Sequence, residues 1–342
     1  MKLSDFNYRV PKKLIAQYPP KKRGGSRLMV LNRKDQTIEN KQFKDIIDYL
    51  DEKDCLVVNE TKIFPARLMA IKDKTHAKVE IFLLRELEKD LWEVLVRPAR
   101  KVRVGNKLMV GDKLKCEVLD NTVSGGRVIR FVYDGDFFKI IEKIGKIPLP
   151  PYIKREPEEI DRERYQSLFA QKRGAVAAPT ASLHFDKKMI KKVKSKGIRI
   201  VPVVLHIGLG TFRPIEVEDL SRHKMDSEYY EVSEESARQI NETIDRKGRI
   251  IAVGTTVVRV LESILTIDKH IKKDSGWTDK FIYPPYKFKV VDALLTNFHM
   301  PRSSLLILVS AFAGYKFTFK AYRKAVREGY KFFSYGDAML II

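Results

Sequence analysis

Two textures of hydrophobic patterning alternate along the chain. Between residues 63 and 147, short apolar runs recur at 67–71, 78–84, 91–96, 114–119 and 127–133. Turn signals separate them, among them Val104-Gly105-Asn106 and Ser124-Gly125-Gly126. Short strands at this spacing predict a small antiparallel barrel or sandwich. The flanking segments read differently. Residues 43–51 carry helical apolar spacing and 55–58 a short buried strand. Beyond residue 155, helical patterns at 186–196, 233–247, 256–267, 301–312 and 319–328 alternate with strand patterns at 198–205, 249–253, 290–295 and 330–335. Asp186 caps the first of these helices and Gly197 ends it; Gly248 closes the second; Pro301 and Gly314 bracket the fourth. The linker Ile147-Pro148-Leu149-Pro150-Pro151-Tyr152 is extended, because consecutive prolines disfavour helix.

This pattern predicts an α/β fold in two parts. A major α/β domain, barrel-like or open, with a largely parallel sheet, takes residues 1–62 plus 148–342. A small antiparallel β-barrel-like domain is inserted over 63–147. In such a major domain the residues directly after the strands form the expected site.

Composition narrows the function classes. Apolar residues make up 44% of the 342, enough for a sizeable core, so disorder is excluded for most of the chain. Lys and Arg number 66 against 44 Asp and Glu, a formal charge of +22. That field attracts polyanions. Basic clusters stand at 12–13, 21–23, 97–103, 187–196 and 323–331. Nucleic acid is the natural partner, because neutralising phosphates releases counterions; a merely solvated lysine-rich surface is the competing reading. Cys55 and Cys116 match no metal or disulfide spacing and read as buried free thiols of a cytoplasmic protein. No signal-peptide pattern opens the chain. The longest apolar run, 305–314, falls short of the roughly 20 residues of a membrane span, so no membrane partner is expected.

Candidate chemistry gathers where strands run into loops. Gly254-Thr255-Thr256 follows a buried strand and opens a helix; free amides at a helix start bind anions, and two hydroxyls add donors. Arg259 and Glu262, three apart, share a face of that helix. An ordinary threonine cap with a surface ion pair would have the same sequence. His206-Ile207-Gly208-Leu209-Gly210-Thr211-Phe212-Arg213 follows another strand, but the third glycine of a dinucleotide fingerprint is missing. Gly174 to Phe185 is a small-residue run holding Thr180 and His184. Asp292 to Pro301 delivers Thr296, Asn297 and His299 to a loop, and Asp292 inside an apolar strand needs a partner or a task. Tyr335-Gly336-Asp337 follows the last predicted strand. The six histidines show no metal-ligand spacing, so no metal is expected.

In this order the segments resemble the S-adenosylmethionine:tRNA ribosyltransferase-isomerases of queuosine biosynthesis. The resemblance runs over essentially the whole chain. It begins at Asp5-Phe6-Asn7-Tyr8, Leu14-Ile15-Ala16-Gln17 and Ser26-Arg27-Leu28, and continues through Leu56-Val57-Val58-Asn59-Glu60-Thr61 and Pro65-Ala66-Arg67-Leu68. Leu149-Pro150-Pro151-Tyr152-Ile153, Ala177-Ala178-Pro179-Thr180-Ala181 and Leu183-His184-Phe185 follow. Residues 206–214, 252–259 and 296–301 extend it, and Phe333-Ser334-Tyr335-Gly336-Asp337-Ala338-Met339 completes it.

The resemblance implies S-adenosylmethionine as co-substrate and tRNA carrying 7-aminomethyl-7-deazaguanine at the wobble position as partner. The ribosyl part is transferred and isomerised to epoxyqueuosine, with release of adenine and methionine, by a cytoplasmic monomer without a metal. His184, His206 and His299 are the candidates for proton transfer, with Glu228 and Asp292 behind them. Thr180, Gly208, Gly210, Thr211, Phe212, Gly254, Thr255, Thr256, Glu262, Thr296, Asn297, Tyr335 and Asp337 are expected at the substrates. So are Arg27, Asn59, Thr61 and Arg67. Arg213 and Arg259 would hold a carboxylate or phosphate. The chain departs from the family pattern at Lys62, Ser182, Asp226 and Pro285. Two rivals stand beside this reading. An S-adenosylmethionine-dependent RNA methyltransferase would want an early strand–glycine loop–helix unit. A non-catalytic or altered-specificity RNA-binding protein would not account for polar residues clustered after strands.

Overall fold

The structure, a computed structural model, describes residues 1–123, 125–208, 210 and 215–342. The chain opens with β1 (Arg27–Asn32), β2 (Thr37–Gln42), β3 (Cys55–Asn59) and β4 (Thr61–Ile63). It then makes β5 (Arg67–Lys72), β6 (Lys78–Glu88), β7 (Leu91–Arg97), β8 (Lys107–Val110), β9 (Leu114–Asn121), β10 (Arg127–Tyr133) and α1 (Phe137–Ile144). After α2 (Glu159–Arg164) and β11 (Lys172–Ala175) come α3 (Lys187–Ser195), β12 (Arg199–Leu205), β13 (Glu228–Val232), α4 (Glu234–Asp245), β14 (Ile250–Val253) and α5 (Thr255–Ser263). β15 (Asp274–Thr278), β16 (Ala293–Asn297), α6 (Ser304–Ala313), α7 (Tyr315–Arg327) and β17 (Ala338–Ile341) end it.

Strands β5 to β10 close into a six-stranded antiparallel barrel in the order β10-β7-β6-β5-β8-β9. Closure removes the free edges that an open sheet would expose. The barrel has its own core, in which Trp92, Val94, Phe131 and Phe137 are buried. Helix α1 seals it, turning Phe137, Ile140 and Ile141 inward. Arg67 bridges Lys146, so the chain enters and leaves the barrel side by side.

Of the remaining strands, β4 and β11 pair as a separate two-stranded parallel sheet, and nine form one mixed sheet in the order β15-β13-β12-β3-β14-β16-β17-β1-β2, open along β15 and β2. β12, β3, β14 and β16 are parallel neighbours. β17 runs against β16, and β1 runs with β17. Hence the carboxyl ends of four strands and the beginnings of β17 and β1 meet at one edge of the sheet. One face is covered by α5, α6 and α7. The other packs on α3 and the 3-10 turn Phe43–Tyr49.

Several expectations shift. The sheet is mixed rather than largely parallel, because β13, β15, β17 and β2 each enter through an antiparallel pairing. The 43–51 helix is a 3-10 turn. The helix expected from Pro301 starts at Ser304, where Ser303 accepts from Leu306 N at 3.2 Å. The strand expected at 290–295 is Ala293–Asn297. No strand forms over 330–335: Phe332 makes a single bridge to Ile15, and the aromatic residues there fill the core instead. The terminal strand is β17. Among the described residues no single helix is long and apolar enough to cross a membrane.

Leu295 is fully buried at the centre of the large sheet. Leu295→Ala should lower stability by about 2–5 kcal/mol through lost burial and an unfilled cavity. Urea denaturation would show this as a lowered midpoint with an unchanged slope.

Candidate active site

The active edge is built around Asn59, the last residue of β3 and wholly buried. Its Oδ1 accepts from Thr61 N at 3.0 Å and Leu205 N at 3.1 Å. Its Nδ2 donates to Leu205 O at 2.9 Å and Thr256 Oγ1 at 3.3 Å. One side chain therefore ties the ends of β3 and β12 to the first turn of α5. Gly254 joins β14 to α5 at φ +100°, a backbone region that disfavours any Cβ.

Two cavities adjoin at this edge. The inner one, about 60 Å³, is lined by the small-residue turn Ala177–Ala181, by Gly254, Thr255 and Thr256, and by Thr296, Asn297 and His299. Thr296 Oγ1 lies 2.7 Å from His299 Nε2, and Tyr322 OH accepts from His299 N at 3.0 Å. Burial pushes the His299 imidazole down to about 3, so it is neutral. His184 stands behind this wall. Its Nδ1 meets Ser26 Oγ at 2.7 Å, while its Nε2 and Asn297 Oδ1 are buried without a hydrogen bond. Burial holds His184 at about 4, slightly offset by Asn297 nearby.

The outer cavity is a cleft of about 610 Å³ between barrel and sheet, and Ile207 lines both spaces. His206 stands in the cleft with Nδ1 2.8 Å from Thr61 Oγ1. Its pKa is lowered by burial, so it too is neutral at pH 7. The ring lies against Gly174, where a Cβ would come within 2.5 Å of Nε2. Gly210 admits Asp226 in the same way, a Cβ there falling 2.6 Å from Oδ2. Glu228 accepts from Gly208 N at 2.9 Å and pairs with Arg259 Nη1. Arg259 also donates to Lys280 O at 3.0 Å and Thr278 O at 3.1 Å.

Several expected site residues have other tasks. Arg259 is buried and engaged by Glu228, so it is not held ready for a carboxylate or phosphate. Glu228 is correspondingly a positioning residue for the Gly208 loop. Glu262 does not pair with Arg259; it accepts from Lys289 N and Val290 N, each at 3.1 Å, and from Tyr286 OH at 3.1 Å. Asp292 precedes β16 and accepts from Ile250 N at 2.8 Å. It therefore lies at the opposite edge of the sheet, about 16 Å of strand from Asn297. Arg27 stacks 3.6 Å over Tyr330 and donates to Glu328 O. Asp337 clamps Arg27 N and Lys331 N, each at 2.7 Å. Tyr335 donates to Asp161 beside a shallow recess shared with His184. Arg67 faces Glu80 within the barrel. Thr211, Phe212 and Arg213 lie outside the described residues.

Other residues enter unannounced. Tyr152 and Ser334, hydroxyls 2.5 Å apart, line the inner cavity. Arg85, Tyr229 and Trp277 line the cleft. Tyr152 and Ser334 lay within segments that carry the resemblance, but nothing in the local pattern aims Arg85 or Trp277 at a common space. Of the departures, Ser182 is wholly buried with its hydroxyl unpartnered, and Asp226 lines the cleft. Lys62 lies in β4, and Pro285 follows a cis bond beside Tyr286. Among the described residues no group of acids, histidines and cysteines could hold a metal.

Neutral imidazoles and hydroxyls at the carboxyl ends of parallel strands, beside two adjoining cavities, define the candidate active site of an α/β enzyme. Comparison with known proteins narrows this. A family model described as queuosine biosynthesis protein matches residues 3–341. The chain is 57% identical over 345 residues to the S-adenosylmethionine:tRNA ribosyltransferase-isomerase of Chloroherpeton thalassium, covering 100% of both. It is 54% identical over 348 residues to that of Cytophaga hutchinsonii, again over 100% of both. The crystal structure of the S-adenosylmethionine tRNA ribosyltransferase from Thermotoga maritima matches it with a TM-score of 0.58 at 40% identity, over 99% of this chain and 100% of that one. The chain belongs to the queuosine biosynthesis family of ribosyltransferase-isomerases.

The two deeply buried histidines make stability pH-dependent. Below about pH 6.5 the unfolded chain binds a proton at His184 and at His299 while the native chain binds neither, down to about 4 and 3 respectively. Stability therefore falls as pH falls through this window, by about 1.4 kcal/mol per unit for each histidine. Urea titrations at pH 6.5 and 5 should show His184→Gln losing about one such increment of the slope. An unchanged slope would mean that His184 is protonated in the native protein.

Proposed function

We propose that this chain transfers the ribosyl part of S-adenosylmethionine to 7-aminomethyl-7-deazaguanine at the wobble position of tRNA. It then isomerises the ribosyl to the epoxy-cyclopentane of epoxyqueuosine, releasing adenine and methionine. The observation that carries the reading is a neutral imidazole in each of the two cavities, His299 in the inner pocket and His206 in the cleft. The sulfonium acidifies the adjacent 5′ carbon, and a neutral imidazole is the base that can take that proton. His206 is the assigned base: of the three it is the one that is only half-buried, and Thr61 fixes its ring. His299, oriented by Thr296, donates a hydrogen bond to a leaving or developing polar atom in the pocket. His184, held by Ser26, stands behind the pocket wall and is a positioning residue.

The inner pocket is too small for the whole co-substrate. Its small-residue wall and the open amides of α5 suit one end of the molecule, the remainder passing Ile207 into the cleft. No metal is needed for these steps. We read residues 63–147 as an inserted domain, supported by its separate core. One chain carries both cavities, which suits a monomer. The buried free thiols Cys55 and Cys116 suit the reducing cytoplasm.

The test is mass analysis after mixing the protein, S-adenosylmethionine and tRNA bearing the aminomethyl base. Adenine, methionine and epoxyqueuosine in equal amounts support the reading. S-adenosylhomocysteine would indicate a methyltransferase, and intact co-substrate a binding protein. His206→Ala should reduce kcat by about 100-fold or more. His299→Ala should reduce turnover more than tRNA affinity, and unchanged turnover would remove His299 from the reaction. For the barrel, reversing charge at the exposed Arg97, Arg100, Lys101 and Arg103 should weaken tRNA binding and flatten its salt dependence. Unchanged affinity would separate the barrel from tRNA docking.

A further inference from the structure

Trp277 is 55% exposed on β15, an edge strand of the large sheet, and faces the cleft rather than open surface. Leaving so much indole in water is costly unless a ligand covers it. Its neighbours form a ladder. Tyr229 is its cross-strand partner, edge-on at 5.8 Å. The Tyr229 ring in turn stacks on His206 at 5.7 Å and 22°. On the other side Arg85, from barrel strand β6, lies 5.6 Å over the indole and pairs with Glu93 at 2.7 Å. The ladder thus runs from the barrel to the base assigned above.

We infer that Trp277 is a stacking platform for the RNA base being modified, with the barrel residue Arg85 lying over the indole and bringing the barrel to the site. Two features select this occupant. The cleft opens to the surface between two bodies, so a base can enter while its chain continues outside. Base–aromatic stacking requires a π-face and room beside it, and both are present here. The inference rests on the proposed reaction for the identity of that base.

The chain contains two tryptophans, and the other, Trp92, is buried in the barrel core. Intrinsic fluorescence therefore reports the site directly. Titrating the intact protein with tRNA bearing the aminomethyl base, without co-substrate, should quench the emission. Trp92→Phe should retain the quench and Trp277→Phe should lose it. Trp277→Ala should raise KM for tRNA by about tenfold, with a much smaller loss of kcat. Trp277→Tyr, which keeps an aromatic face, should recover most of that KM and guards against a misfolded alanine variant.

Quenching by S-adenosylmethionine alone and not by tRNA would overturn the inference by giving the platform to the co-substrate. No quench with tRNA that binds by filter assay would overturn it as well. Wild-type release of adenine and methionine with no Trp277 response rejects the platform but leaves the reaction standing. A Trp277 response without products rejects the reaction and keeps a base-binding cleft.

Discussion

The active edge depends on one buried amide. Asn59 satisfies backbone groups at the ends of β3 and β12 and reaches the hydroxyl of Thr256 on α5. Parallel strands end in unpaired polar groups, and leaving these buried and unmet would cost about 1–3 kcal/mol each. With Asn59 in place the strand ends, the turn at Gly254 and the helix start hold one geometry. His206 follows β12 directly, and its ring is fixed by Thr61, two residues after Asn59. The imidazole that faces the cleft thereby inherits its position from the same clamp.

The histidines share a second constraint, which is dryness. The sheet edge buries His184 and His299 so deeply that charging either is unfavourable, and His206 is shifted in the same direction. The buried Arg259–Glu228 pair works differently. It keeps its charges because they meet, and Thr278 and Lys280 carbonyls occupy the remaining guanidinium donors. A pair of this kind is expensive to break from one side. It anchors the Gly208 loop without offering a free charge to the cleft.

Much of this was legible in the chain. The barrel strands followed their alternating runs because each shows one face to a core and one to water. The Asp186 cap and the Gly254-Thr255-Thr256 opening marked their helices, and the loops after β12, β14 and β16 line the two cavities. Errors came where local pattern and tertiary role diverge. The aromatic stretch at 330–335 has strand composition but serves as core filling, so Asp337 became a clamp at the start of β17. Asp292 read as lying inside a strand, yet the strand begins one residue later, which moved the carboxylate to the far edge. Arg259 and Glu262 share a helix face, but stronger partners from β13 and the 289–291 segment claim them. Trp277 sits in Asp274-Ser275-Gly276-Trp277-Thr278, too polar and glycine-bearing to read as strand, and its meeting with Arg85 depends on how the barrel docks.

Ile207 separates the inner pocket from the cleft and belongs to both. A compound designed against only one space would find the inner pocket too small for much affinity and the cleft wide and partly charged. Joining two fragments past Ile207 would make the second contact intramolecular, raising its effective concentration far above that of free fragments. The Ile207 side chain is thus what the linker of any bisubstrate ligand must clear.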